Sequence, residues 1–341
     1  MDPFSHILLA YLFGFGIFGA QGLQYVVAAA FAGALPDADV VFYPLSTRFP
    51  LLRHRGISHS IVGVTVIAIA GTFVVPWALA WTFGASFGTG SFVSFFVALE
   101  IGGLSHVLLD AMDHWSVPIF APFSKQECHF DADRIMNFGA MAFTVVAYGI
   151  LIYERGRVAV WIWESTTYLL LFATLLYFVV RLVARWRAGV ARKHLGFDHV
   201  IPQSNPLVFV FHGRSESQGE LRLRFAKYHL RRGRQTDGRS LVVPLTPPVS
   251  SIRVPTPLDA LARSYQPAIG ASWILGETHH FGEARTTPGG FEVFWYSLEM
   301  TSFGRAAGVL ARVDRETGAV TTRPAWRNPL HPWAKGVSSS L

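Results

Sequence analysis

The sequence predicts an α-helical membrane bundle of about six transmembrane helices, followed by a small β-rich C-terminal cytoplasmic domain. Three observations carry that prediction. Of the 341 residues, 51% are hydrophobic and the mean hydropathy is +0.35, too apolar for an ordinary soluble chain of this length. Residues 7–36, 60–99, 135–153 and 165–180 contain no Asp, Glu, Lys or Arg. From about residue 200 the texture changes to short alternating runs separated by Gly, Pro and Asp-rich turns.

A spanning helix needs about 20 apolar residues, so the four uncharged stretches supply roughly six passages once they are divided at Gly-, Pro- and Gln-containing breaks. A break at Gln21-Gly22 gives helices near 6–20 and 23–35. Both are short for a hydrocarbon core of ~30 Å, and tilting, bilayer thinning or re-entrant placement would accommodate them. The second stretch divides around Phe83 to Ser91 into helices near 59–82 and 92–114, with others near 134–153 and 160–183. No basic n-region precedes the first apolar run, so the first helix is expected to stay in the mature protein. Beyond it, "PLVFVFH", "SLVVPL", "FEVFWYSLEM" and "GVLARVD" read as strands. The predicted organisation is therefore a membrane domain over 1–184, a basic juxtamembrane linker over 185–199 and a β-rich domain with an irregular end over 200–341.

Charge divides the chain at the same place. Residues 1–184 carry 8 Lys and Arg against 11 Asp and Glu, whereas 185–341 carry 21 against 11. With six passages, both termini share one side with the loops at 36–58 and 115–133. That side holds Arg48, Arg53, Arg55, Lys125, Arg134, Arg185, Arg187, Arg192 and Lys193, against Arg155 and Arg157 opposite. The positive-inside rule then places a multi-pass protein in the cell's inner membrane with N- and C-termini cytoplasmic. The basic stretch "RLVARWRAGVARKH" marks orientation and meets anionic membrane lipids. "RLRFAKYHLRRGRQ" reads as a solvated or lipid-facing strand in preference to a nucleic-acid surface. A single cysteine, Cys128, excludes an intramolecular disulfide framework and any CxxC metal site, so a metal would rest on His, Asp and Glu.

Six of the 13 histidines fall in the first 129 residues, and their placement follows the helix ends. His6 opens the first helix; Asp37 and Asp39 follow the second; His54 and His59 precede the third; His106, Asp110, Asp113 and His114 close the fourth. In "GGLSHVLLDAMDH", His106, Asp110 and Asp113 share one helical face, and the residues between them are apolar. Gly102 and Gly103, one turn earlier, allow another helix to pack closely. A lone interfacial His is an amphipathic anchor and Asp37 a helix terminator on the plain structural reading. Ionisable groups beside apolar helices are costly, however, and their convergence on one layer points to a metal or catalytic site. Zinc suits imidazole and carboxylate donors, manganese or iron would also accept them, and the surplus of donors suggests one to three ions, with a water-activating pair in view.

"FSHILLAY", "ALPDAD", "HRGISHS" and "GGLSHVLLDAM" together resemble the YdjM-like, membrane-bound metal-dependent hydrolases, whose motifs appear here in the family's order over residues 5–113. The resemblance implies a distant relationship to the zinc-dependent phospholipase C and P1 nuclease group and covers roughly the first 125 residues. It implies His6, Asp37, His54, His59, His106 and Asp110 as metal ligands, and Asp39 as a further ligand or as the carboxylate that orients a ligating histidine. It leaves Arg55 to neutralise a substrate phosphate and Asp39 or Asp113 to handle the proton. The sequence departs from the family pattern after Asp110, reading "AMDHWSVPIFAPF", so Asp113 and His114 stand on helical spacing alone.

The expected function is a metal-dependent hydrolase acting on a phosphoester of a lipid or lipid-linked substrate from the cytoplasmic leaflet. Two alternatives use the same residues differently: a divalent-metal sensor or transporter, and a membrane scaffold whose soluble domain recruits a partner. "KQECHFDADR", with Glu127, Cys128, His129, Asp131 and Asp133, reads as a polar loop in which Asp131 or Asp133 caps the next helix. Glu100 is expected mid-membrane, protonated or hydrogen-bonded inside the bundle. Adjacent His279 and His280 point to opposite faces of a strand and make a poor metal pair.

Overall fold

A computed structural model describes residues 3–42, 55–113, 116–124, 126–133, 137–244, 253–271, 280–302 and 305–327. The chain divides into two compact units, Met1–Ala184 and Arg185–Leu341.

The first unit is helical: α1 (Pro3–Phe18), α2 (Leu23–Ala32), α3 (Ile61–Phe83), α4 (Phe92–Ala111), α5 (Phe138–Glu154) and α6 (Val160–Leu195). Three of these, α3, α4 and α6, are long and apolar enough to cross a membrane. The expected count of six is thus corrected. At 1.5 Å per residue, the 10 residues of α2 rise about 15 Å and the 16 of α1 about 24 Å, short of a ~30 Å core. The 17-residue α5 rises about 26 Å, at the lower limit for a spanning helix. Gly19 to Gly22 end α1 and turn the chain, and α2 packs back along it, Gly14 beside Val26 and Ala29 and Gly33 beside Ala10. Phe15, Phe18, Tyr25 and Val26 of this hairpin share a core with Ala68 and Val75 of α3 and Phe95 and Leu99 of α4.

Ser60 and Ser91 cap α3 and α4 through their hydroxyls, as small polar residues do at helix starts. Asn137 caps α5, accepting from the amides of Gly139 and Ala140. Neither Asp131 nor Asp133 caps that helix, contrary to expectation, because Asp133 has a different partner. Its Oδ1 accepts from Arg181 Nη2 at 2.7 Å and from Asn137 Nδ2 at 2.7 Å, and its Oδ2 from the Tyr177 hydroxyl at 2.5 Å. Asp133 and Arg181 are completely buried. This network ties α6 to the loop after α4, whose Phe130, Ala132 and Asp133 amides bond the last carbonyls of α4. In the same loop Val117 and Cys128 form a β-bridge and Ser116 donates to Glu127. Glu100, part-buried on α4, accepts from the Thr65 hydroxyl of α3 at 2.9 Å.

Basic residues 185–194, expected as a linker, continue α6 to Leu195. The second unit then holds two four-stranded antiparallel sheets, each a meander: β1 (His199–Pro202), β2 (Val208–Ser217), β3 (Glu220–His229) and β4 (Arg234–Pro244), then β5 (His280–Thr287), β6 (Gly290–Ser302), β7 (Arg305–Asp314) and β8 (Val320–Arg327). Between them lies α7 (Pro257–Ala271). Leu221, Leu223 and Val243 of the first sheet share one core with Leu261 and Tyr265 of α7 and Phe294 and Trp295 of the second. Trp295 is fully buried and donates its indole N–H to Ser264 Oγ at 3.0 Å. His280 is buried against Tyr265 and Trp295; His279 lies outside the described residues.

Two consequences are measurable. Arg181→Met strands the Asp133 carboxylate in an apolar interior and is expected to destabilise the helical unit by about 3–5 kcal/mol, with Asp133→Asn on the same chain recovering most of that; denaturant titration of the detergent-solubilised variants reads it. In the second unit, burial pushes the Glu283 carboxyl up to about 7 even though Arg239 and Tyr296 bond it. A folded state that holds this proton more tightly than the unfolded chain is most stable below the unfolded value of 4.5 and loses stability as pH rises through about 7. Glu283→Gln is expected to flatten that decline in thermal melts of the full chain.

Candidate metal centre

Close backbone approach sets the geometry. A Cβ on Gly102 would stand 2.1 Å from the Ala29 carbonyl oxygen of α2, and one on Gly103 would stand 2.4 Å from Val64 Cγ1 of α3. Helix α4 is therefore pressed between α2 and α3 where only glycine fits. One turn on, His106 reaches Gly33, the residue that ends α2, and its Nδ1 donates to the Gly33 carbonyl at 2.8 Å. That bond fixes the tautomer and leaves the Nε2 lone pair facing inward.

His59 arrives from a 3-10 turn, Ile57–His59, just ahead of α3. Its Nδ1 lies 3.0 Å from Ser58 Oγ and 3.3 Å from Asp39 Oδ2, while Ser58 Oγ donates to the same Asp39 oxygen at 2.5 Å. The serine proton is committed to Asp39, so the His59 Nδ1 is the donor and its Nε2 also faces inward. The two Nε2 atoms stand 3.1 Å apart. Asp37 Oδ1, from the 3-10 turn Pro36–Phe42 that follows α2, is 3.4 Å from His59 Nε2 and 3.5 Å from His106 Nε2. Asp110 Oδ2 is 3.4 Å from the first and 3.7 Å from the second. Asp37, His59, His106 and Asp110 form a group that could hold a metal ion, with donor atoms all within 4.8 Å of one another. His59, His106 and Asp110 are buried and Asp37 is half-buried.

Charge is distributed accordingly. Burial alone would push the Asp37 carboxyl up, but the bond to His59 and the neighbouring His106 and His6 rings hold it below the ordinary carboxylate range. Burial would likewise lower the His59 imidazole, yet Asp37, Asp39 and Asp110 together raise it. Without an ion, the carboxylates thus favour a proton on His59.

Other expected residues surround this group. The His6 ring stacks on His106 with centroids 3.9 Å apart, and its Nε2 is 3.4 Å from Asp110 Oδ1. Arg55 Nη2 donates to Asp110 Oδ1 at 3.0 Å and to Asp113 Oδ2 at 3.3 Å. Arg55 has φ +60°, the left-handed region that side chains other than Gly occupy at a cost. Asp39 stands behind His59 and Asp113 behind Arg55. His54 and His114 lie outside the described residues. The Asp133–Tyr177–Arg181 network is not visible in the sequence, where Arg181 opens the basic stretch expected at anionic lipids; in the structure it is buried against Asp133 instead.

Fold and site define a membrane protein whose helical unit carries a His and Asp group able to hold a metal ion. The chain belongs to the YdjM inner membrane protein family, which matches residues 1–188. No curated protein and no solved structure matches the chain.

Because Gly102 admits α2, its replacement reaches the centre. Gly102→Ala is expected to cost about 1–3 kcal/mol through overpacking and to separate His106 from Gly33. A denaturant titration paired with the imidazole nitrogen chemical shifts of His106 checks both effects.

Proposed function

We propose that the protein is a metal-dependent hydrolase of the inner membrane, holding one divalent ion, zinc by preference, and cleaving a phosphoester of a lipid or lipid-linked substrate. One observation carries the reading: the two inward Nε2 atoms stand 3.1 Å apart and 3.4 to 3.7 Å from one oxygen each of Asp37 and Asp110. Bonds of about 2.0–2.2 Å separate the donors of a tetrahedral zinc site by roughly 3.3–3.6 Å. A single ion fits better than the expected pair, because the Arg55 guanidinium already lies against the outer oxygen of Asp110 where a second cation would bind.

A divalent ion here would polarise a phosphoryl oxygen and acidify water. The chain's residues do the rest. Asp39 holds His59 in its ligating tautomer, so it serves as an orienting group and not as a fifth donor. Arg55, part-exposed and shared between two carboxylates, is placed to transfer its planar fork to a substrate phosphate. That transfer releases Asp113 to take a proton. Asp37, the most exposed of the four donors, marks the side from which substrate approaches.

The leaflet follows from charge. Asp133 bonds both the chain at the end of α4, beside the centre, and Arg181 of α6, so the centre lies at the level of Arg181 within the helical unit. The positive-inside rule supports the cytoplasmic face.

Metal analysis of the purified protein tests this first. One ion per chain is expected in the wild type and none in His59→Ala or Asp110→Ala, while Asp39→Asn retains the site with affinity weakened about 10- to 100-fold. Loaded protein should then hydrolyse phosphodiester lipids, and Arg55→Lys should impair cleavage with metal content unchanged. A folded wild type that takes up neither zinc nor manganese overturns the reading.

A further inference from the structure

A cavity of about 190 Å³ lies in the helical unit among α1, α4, α5 and α6. It exceeds the apolar cavity of about 150 Å³ that stays dry and takes up benzene in an engineered protein. Leu8, Leu9 and Leu109 form a buried floor, and Phe143, Ala173 and Phe178 are the more exposed carbon walls. The cavity therefore opens between α5 and α6, on the surface a membrane protein turns to lipid. On α5 it uses positions 139, 140, 143 and 144, and on α6 positions 173, 174, 177 and 178. Each set runs up about one and a half helical turns, roughly 8 Å.

Every polar side chain on its wall is already engaged. Ser5 Oγ and Thr144 Oγ1 bond each other at 3.0 Å, Thr174 Oγ1 donates to the Leu170 carbonyl at 2.8 Å, and the Tyr177 hydroxyl donates to Asp133 at 2.5 Å. The exposed amides of α5's first turn are taken by Asn137. An occupant meets a wall that is mostly carbon and hydroxyls that already have partners, so hydrocarbon suits it best, because an unmatched polar group would be desolvated without compensation. The floor also borders the centre: Ser5 precedes His6 and Leu109 precedes Asp110.

We propose that this cavity holds a segment of one acyl chain of a bilayer lipid. The substrate of the metal centre is then an amphiphile whose tail enters between α5 and α6 while its anionic phosphoester meets Arg55 and the donors. This rests on the hydrolase reading for the head group, but the tail site stands on the cavity alone.

The test uses the full chain in nanodiscs of phosphatidylglycerol doped with phosphatidylglycerol bearing a diazirine in one tail. After irradiation, adducts are mapped by peptide mass spectrometry in wild type, Ala173→Phe, the milder Ala140→Leu, and His59→Ala. Adducts are expected to concentrate on 139–144 and 173–178. They should fall at least roughly tenfold in Ala173→Phe and less in Ala140→Leu, since excluding about two methylenes removes that much affinity. Metal content should be unchanged in both, which shows that they fold. Adducts should persist in His59→Ala, so a failed metal reading and a failed tail site give different results. Adducts spread evenly over exposed α3 residues such as Phe73 and Trp77, or collected on a second cavity of about 410 Å³ lined by Leu35, Asp39 and Val62, with no response to the filling variants, would overturn the proposal.

Discussion

The arrangement of the helical unit depends on one electrostatic fact: four electron-rich atoms face one another within 3.7 Å along each contact measured from the two imidazole nitrogens. Two lone pairs and two carboxylate oxygens in a buried space repel strongly at low dielectric. Positive charge holds them together: the carboxylates raise the His59 imidazole and so favour a proton there, and a divalent ion would take that part in the proposed function. The features that bring them together look like packing details: a glycine on α4, a carbonyl left at the end of α2, a three-residue turn ahead of α3. Each has a direct consequence at the donors. Gly102 sets how near α2 lies, that distance lets Gly33 receive His106, and the bond points Nε2 inward.

Two arginines answer the remaining negative charge in different ways. Arg181 is sealed against Asp133, whose oxygens also receive Asn137 and Tyr177, so breaking it would leave a buried charge with nothing to replace its partner. Arg55 is shared by Asp110 and Asp113 across a left-handed backbone residue and retains some exposure. Strain of that kind persists only where surrounding bonds fix it, and it collects where a chain must present a group in one place. The first pair therefore serves cohesion, and the second is poised to exchange one anionic partner for another.

What the sequence made legible was what repeats or ends. Helical spacing put His106, Asp110 and Asp113 on one face, and both Asp110 and Asp113 meet Arg55 there. The polar residues flanking apolar runs located Asp37, Asp39 and His59. Less legible were relations between segments far apart in the chain. Nothing in the spacing of Asp133 and Arg181 signals that they meet, and the capping guess for Asp133 used local context where a tertiary partner decided the matter. Helix α7 carried a readable start, since Thr256 Oγ1 and Asp259 cap each other's amides, but it lay between strand-like runs that set the expectation for the whole region. Counting uncharged runs gave six spans where three of the described helices are long and apolar enough, and α1 and α2 were already short in the sequence.

The short hairpin is what makes the centre affordable in a membrane protein. A ten-residue α2 rises about 15 Å, short of a ~30 Å core, and Gly33 at its end stays beside α1 and α4. In hydrocarbon each backbone or carboxylate oxygen must be satisfied inside the protein. Here the Gly33 carbonyl is taken by His106, Asp39 by Ser58 and His59, and Asp37 by the donor group itself. The same bonds that relieve the hairpin's end assemble the centre. Lengthening α2 to span the core would carry Gly33, Asp37 and Asp39 away from α4 and dismantle both at once.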